Sequence, residues 1–502
     1  MKKKVWIGWV LLFILRIIIP AQSAIAQISM TYMPKFSSTA LKEDAILLKK
    51  ILEANHPSLY WYSSKESLDS GFNSLMLSLN DSLNEIQFKN RVAGWIAQIK
   101  CGHTSTLFSK SFLKNPNQFR YPRFPLQIKF WEDSAVVLNN GYTKDSIIKR
   151  GTIIEQINGL PMSWYRNHLF QQISNDGNAT NHSYQVISNG FPDLYKQVFG
   201  VDSSYLIGFI DGKGKSDTAS LGNFTPVTRD SLSGKALPPA NNRIPPTGPT
   251  FSKRQIRLLS IRSLSIDTTT HSAYVRLTSF SKGGLKKFFR RSFKKLKKEN
   301  IQHLIIDLRE NGGGKISNSI DLTRYLSNKP FKVADSVVAT NRKLTYGKYI
   351  QHSWMYWLAM NLGAHKATDG SIHYRRFEQH YFQPYTKNKF SGQVYLVQGG
   401  YTFSATTMVV GALKGQENIK VVGEESGGGY YGNSAMHIPN ITLPNSKLRV
   451  RLPLYRMVIN SNRPKGRGIV PDIKIPPSSA AIREGWDPKM AAILQMIQSK
   501  NN

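Results

Sequence analysis

The feature that most constrains the fold of this chain is a junction that occurs twice, in which an apolar strand runs into glycines and then into a helix. "HLIIDL" (303–308) leads into Arg309-Glu310-Asn311-Gly312-Gly313-Gly314, and "QVYLVQGGYTF" (393–403) delivers Ser404 to the start of "ATTMVVGALK" (405–414). Around them, "SAYVRLTSF" (272–280) and "IKVVGEESGGG" (419–429) continue an alternation of apolar strands with helices, as expected of a layered α/β domain. At the first junction the glycines allow a tight turn whose amides face outward, a geometry suited to an anion. It is not a phosphate loop, because no Gly-Lys-Ser/Thr closes the frame around Lys315.

The rest of the chain reads differently. "LKEDAILLKKILEANHP" (41–57) and "LNEIQFKNRVAGWIAQI" (83–99) carry helical periodicity, whereas "FPLQIKFWEDSAVVLNN" (124–140) and "GTIIEQINGLPM" (151–162) alternate as short strands. Residues 222–255 collect Pro, Gly, Ser, Thr and Asn and read as a linker or surface insertion; "DPKMAAILQMIQS" (487–499) reads as a terminal helix. A length of 502 residues allows about three globular units at roughly 100–200 residues each.

Residues 1–26 join a Lys triplet, an apolar run and Ala24-Ile25-Ala26, the pattern of an export signal cleaved after Ala26. The alternative is an uncleaved anchor, but Arg16 and Pro20 cut the apolar run short of the ~20 residues a spanning helix needs. The expected localisation is periplasmic or secreted. Cleavage would remove four of the 36 net positive charges. The remaining field would draw the protein electrostatically to anionic envelope surfaces or acidic substrates. In "LKKFFRRSFKKLKK" (285–298), Leu285, Phe288, Phe289, Phe293 and Leu296 recur at helical spacing between basic residues, the pattern of a core helix with a solvated outer face. No nucleic-acid-binding module is present. Cys101 is the only cysteine, so neither an intramolecular disulfide nor a cysteine-based zinc site can form.

Ser404 has two readings. As a helix N-cap, its hydroxyl would satisfy a free amide of the first turn. As a nucleophile, it would stand where the amide of Ala405 and the helix dipole face a forming oxyanion, with Gly313 as second donor. A nucleophilic serine needs a base, and His103, in the turn of "IKCGHTSTLF" (99–108), is the candidate.

At these residues the chain resembles the tail-specific, or C-terminal processing, serine peptidases, a family that includes tricorn protease and interphotoreceptor retinoid-binding protein. "DLRENGGG" (307–314) is similar to the family's Asp-Leu-Arg-x-Asn-x-Gly-Gly element, "TFSATT" with "VVGEESGG" to its serine helix and following strand, and "GRGIVPDIKI" (466–475) to its Gly-x-Pro-Asp close. "HPSLYW" and "CGHTSTLF" resemble the helical region of secreted bacterial members, and "IIKRGTIIEQINGLPM" (147–162) resembles part of a PDZ module, with Thr152 where Asp is usual.

The resemblance implies an α/β, multidomain fold: a signal peptide (1–26), an N-terminal helical region (27–120), a PDZ-like β-rich domain (121–221), a linker or insertion (222–265), a crotonase/Clp-protease-like α/β catalytic core (266–480) and a C-terminal helix (481–502). It implies a serine endopeptidase acting on polypeptides without metal or cofactor. The family's Ser–Lys scheme would put a lysine near Gly429, but none occurs in 421–446, so the tricorn-like scheme with His103 as base is the one that fits. The family's orienting Glu falls at Lys465, which leaves Glu424 or Glu425 as the substitute acid. The alternative is a catalytically weak or inactive relative that binds peptides or small apolar ligands in the same cleft.

Overall fold

The computed structural model describes residues 33–114, 121–142, 145, 147–225, 251–368 and 370–501. The expected signal segment lies outside the described residues, as does 226–250 of the expected insertion. Among the described residues, no helix is long and apolar enough to cross a membrane.

The N-terminal helices Ser38–Asn55, Lys65–Ser78 and Glu85–Ala97 start at side-chain caps: Ser37, Ser64, and an Asn84–Gln87 capping box. Leu41, Ala45, Leu48 and Leu52 recur at helical spacing and pack into the same core as the α/β strands. Buried Asp44 accepts hydrogen bonds from the Asn445 and Ser446 amides at 3.0 and 2.8 Å, which ties the first helix to the far end of the chain.

Residues 126–222 build an antiparallel sheet in the order Leu126–Trp131, Ser134–Asn140, Ile153–Ile157, Ser204–Ile210, Ser216–Gly222. Its first strand buries alternate residues, Leu126, Ile128 and Phe130. These pack with Phe191 and Tyr195 of the helix Asn181–Phe199 in a hydrophobic cluster separate from the main core.

The α/β core is a six-stranded sheet in the order Arg262–Asp267, Ser272–Leu277, His303–Asp307, Gln393–Gln398, Ile419–Gly423, Ile473–Lys474. The first pair is antiparallel and the others are parallel. All five residues of His303–Asp307 are buried, as a strand covered on both faces requires. The basic helix Leu285–Lys298 buries Leu285, Phe289, Phe293 and Leu296. On the outer face Ile493 and Ile497, within Pro488–Asn501, pack on Ile305, Tyr395, Val397 and Val422.

One boundary differs from the expectation. The helix Lys253–Leu259 and the first core strand, from Arg262, fall inside the stretch 222–265 read as linker or insertion. The strand's alternation is Leu264 and Ile266 against serines, and it becomes a strand by pairing Leu264 with Val275. That support is tertiary and leaves a weak local pattern.

Two consequences of this topology position the chemistry. His303–Asp307 and Gln393–Gln398 are parallel neighbours with Asp307 opposite Val397, so the glycine turn and Ser404 emerge side by side at their carboxyl ends. That is where open α/β sheets hold their sites. A small sheet pairs Thr106–Leu107 with Arg449–Arg451 and brings the His103 turn over the same end.

Candidate active site

Ser404 sits at φ 55° and ψ −125°, a backbone conformation costing about 1–3 kcal/mol for a residue with a side chain. It occupies the N-cap position of Ala405–Leu413, yet its hydroxyl makes no capping bond. The capping account of this serine therefore fails. The turn is held by its neighbours: Thr402 Oγ1 donates to Leu308 O (3.0 Å) and accepts from Gly399 N (3.1 Å), and Phe403 N donates to Asn311 O (3.2 Å). A strained serine at a strand-to-helix elbow, fixed by its surroundings and with a free hydroxyl, is the geometry of an exposed nucleophile.

Asn311 joins the two junctions. Fully buried, its Oδ1 accepts from Gly313 N (2.9 Å) and from Thr406 Oγ1 (2.8 Å). At φ 94°, a Cβ on Gly313 would lie 2.8 Å from both Phe403 O and Ser404 Cβ, so only glycine allows this approach. Gly313 thus stands beside the serine as expected, but its amide is spent on Asn311. The expectation that Gly313 supplies an oxyanion donor is corrected: that amide faces the carboxamide that shapes the turn. The amides of Gly312 and Gly314, in the same cleft, have no acceptor among the described residues. Neither does Ala405 N at the first helical position, where helix amides have no intrahelical acceptor. The motif's charged members do not face the cleft: Arg309 forks onto Asp307 (Nε at 3.0 Å) and Asp487 (2.6 Å).

His103 lines the cleft that Ser404 lines, and its ring centroid is 4.9 Å from that of Phe403. It is 5% exposed, and neither ring nitrogen has a hydrogen-bond partner among the described residues. Burial, then the charge of Arg451 and of His182, holds it down to about 3. Asp176, 2% exposed, lies 4.0 Å from His103 Nδ1 through Oδ1. The same oxygen accepts from Gly102 N (2.9 Å), and Oδ2 accepts from Gly429 N (3.2 Å). Burial pushes Asp176 up to about 7 against the pull of those two amides. Ser404 and His103 share the cleft without a hydrogen bond between them, as substrate-free sites often do.

Residues 271–475 match the family described as Peptidase family S41. They form an S41 serine peptidase domain. Among solved structures, the crystal structure of mature CPAF is similar over 93% of this chain and 99% of that one, at TM-score 0.61 and 14% identity. Mature CPAF complexed with lactacystin matches over 92% and 99%, at TM-score 0.60 and 14% identity, and the CPAF S499A mutant over 89% and 94%, at TM-score 0.59 and 13% identity. These likenesses establish a shared fold. Among curated proteins, no sequence matches this one.

Within the S41 domain, the acid expected at Glu424 is corrected. Glu424 Oε2 accepts from Lys489 Nζ at 2.6 Å, and Glu425 accepts from Gly468 N at 2.8 Å. The turn after Ile419–Gly423 aims both carboxylates at the C-terminal segment, and it is Asp176, from outside the S41 match, that stands by His103. Lys465, at the place of the family's Glu, lies over the rings of Trp61 and Tyr62 at 5.6 and 5.4 Å. Gly429, at the place of the Ser–Lys scheme's lysine, gives its amide to Asp176.

Sequence reading also passed over His182, which stacks on Phe403 at 4.7 Å and is held down to about 4 by burial. It likewise missed Arg451, whose strand crosses the cleft wall. The Asn-Asp-Gly of "ISNDGNAT" (173–180) marks Asp176 as a turn residue and nothing more.

Proposed function

We propose that this S41 domain works as an endopeptidase that cuts polypeptides through an acyl-enzyme on Ser404. Ser404 Oγ attacks the scissile carbonyl carbon while His103 takes its proton. The oxyanion is held by Ala405 N and an amide of the glycine turn, and Asp176 stabilises the imidazolium. Collapse breaks the C–N bond, the leaving amine takes the proton from His103, and water activated by the same histidine hydrolyses the ester. The single observation that carries this reading is the strained backbone of Ser404 with its hydroxyl left out of the helix cap.

A weakly active peptide-binding relative is the second reading. It is favoured by the Lys465 substitution and by the 4.0 Å gap between Asp176 and His103. An exported enzyme, freed of its leader after Ala26 and drawn to anionic envelope surfaces by its net charge, fits either reading.

Fluorophosphonate labelling, together with peptide release from an unfolded protein, separates the two. The wild type is expected to label and cut, Ser404→Ala to do neither, and His103→Ala to label slowly. Absence of both labelling and cutting in the wild type overturns the peptidase reading. Labelling of His103→Ala at the wild-type rate overturns only the base.

A further inference from the structure

The cleft around Ser404 and His103 encloses about 660 Å³, and no Asp or Glu is among the described residues that line it. Two basic side chains do line it: Lys89, from Glu85–Ala97, which burial lowers to about 8, and Arg451, from Arg449–Arg451. Elsewhere, some cations withdrawn from water meet carboxylates, as Arg309 meets Asp307 and Lys489 meets Glu424, and others meet neutral acceptors, as Lys129 meets Gln185 Oε1 and Lys196 meets Pro122 O. Arg451 does neither. Its backbone amide donates to Ser105 O at 3.0 Å, but its half-buried guanidinium has neither ion pair nor hydrogen bond among the described residues. Lys89 Nζ reaches Gln197 Oε1 at 3.4 Å and lies 4.9 Å from the Phe108 ring, with Glu85 acting on it at longer range and no carboxylate in ion-pair contact among the described residues. Cations withdrawn from water are normally paired. The unmatched Arg451 beside the reacting groups therefore leaves a site suited to an incoming anion.

We infer that the cleft recognises a carboxylate of the polypeptide substrate close to the scissile bond, with Arg451 as its principal partner and Lys89 reinforcing the field. The inference rests on the peptidase reading and adds the substrate class to it. Arg451 is the better anchor because its planar fork can meet a carboxylate with two parallel hydrogen bonds, whereas Lys89 offers a point charge. The arrangement has a consequence for the base. Arg451 carries one of the charges that oppose protonation of His103, so a bound carboxylate would offset that charge and make His103 a better proton acceptor when substrate is in place.

The test uses the full chain and three matched peptides. One carries Glu beside the scissile bond with an amidated C-terminus, one carries Gln there with the same amidated end, and one carries Gln with a free C-terminal carboxylate near the cut. The wild type is expected to prefer a carboxylate-bearing peptide over the amidated Gln peptide by tenfold or more in kcat/KM. Arg451→Gln should bring that ratio below threefold, Arg451→Lys should restore part of it, and Lys89→Gln should reduce it less. Preference for the Glu peptide assigns the site to an acidic side chain; preference confined to the free-ended peptide assigns it to a chain terminus. Equal cutting of all three by the wild type, or an unchanged ratio in Arg451→Gln, overturns the proposal while the peptidase reading stands. Binding of the same labelled peptides to Ser404→Ala gives a readout that needs no turnover. If the wild type cuts nothing but Ser404→Ala still discriminates Glu from Gln through Arg451, the peptidase reading fails and the carboxylate site survives.

Discussion

His56 and His103 are both buried, at 4% and 5% exposure, and burial holds both down to about 3. Their hydrogen bonding separates them. Ser58 N donates to His56 Nδ1 at 3.1 Å, so Nε2 carries the proton and donates to Thr104 Oγ1 at 2.8 Å. Both valences of His56 are filled in one fixed tautomer, while both nitrogens of His103 are open. An orphaned buried polar atom costs about 1–3 kcal/mol, so a histidine with two of them is retained for something other than stability. The two are also linked: His56 grips Thr104, the residue after His103, so the "HPSLYW" element braces the turn that carries the base. A depressed pKa alone would not have told the brace from the base.

The largest effect that could break this contrast is on turnover. His103→Gln should lower kcat on the order of 10⁴-fold while leaving the melting temperature near that of the wild type, since it removes no hydrogen bond of the fold. His56→Gln should do the reverse, costing about 1–3 kcal/mol in urea unfolding and lowering kcat far less. If His56→Gln abolishes turnover at unchanged stability, the roles given to the two histidines are wrong.

Asp176 comes next, with an expected loss in kcat on the order of 10²–10⁴-fold for Asp176→Asn. The pH dependence follows from the two shifts. Asp176 is pushed up to about 7, so its charge is lost as pH falls through that value, whereas His103 stays neutral down to about 3. The acid limb of kcat/KM should therefore fall near pH 7 and reflect the carboxylate. Asp176→Asn should be slow at every pH and lack that limb. An unchanged limb would return the titration to the histidine.

How much of this was legible in the sequence depends on where each constraint originates. The glycine turn and Ser404 could be placed because each is a local strand–turn–helix pattern, and their adjacency follows from two parallel neighbouring strands. His103 was marked by its Gly-His-Thr turn and its family element. Asp176 could not be found this way, since it reaches His103 only through docking of the β-rich unit and its partners are the backbone amides of Gly102 and Gly429, which leave no trace in residue type. Glu424 misled because closeness in sequence to the serine helix says nothing about which way a turn aims a side chain. The Gly313 amide misled because Asn311 was read as part of a motif and not as an acceptor.

A smaller effect is expected in acid. Stability from a histidine held below its unfolded value is fully present above pH 6.5 and is lost as pH falls toward the folded value of about 3. For His56 the loss amounts to about 2 kcal/mol at pH 5. His56→Gln should therefore be less stable than the wild type at pH 8, with the gap narrowing toward pH 5. Asp176, shifted upward, acts with the opposite sign and is common to both proteins, so it drops out of that difference.

The smallest expected change in turnover is at Glu424, where sequence and structure disagree most directly. Glu424→Gln keeps a hydrogen-bond acceptor for Lys489 but removes the charge, so it should cost about 1–2 kcal/mol of stability. Its kcat should stay within about threefold of wild type, because Glu424 is paired away from His103. A loss of kcat above tenfold at preserved stability would mean that Glu424 senses the charge on His103 after all, and the acid beside the base would have to be sought on the serine strand's own side of the site. The paired measurement with Asp176→Asn decides between the two carboxylates, since only the one that stabilises the imidazolium can move the acid limb of the pH profile.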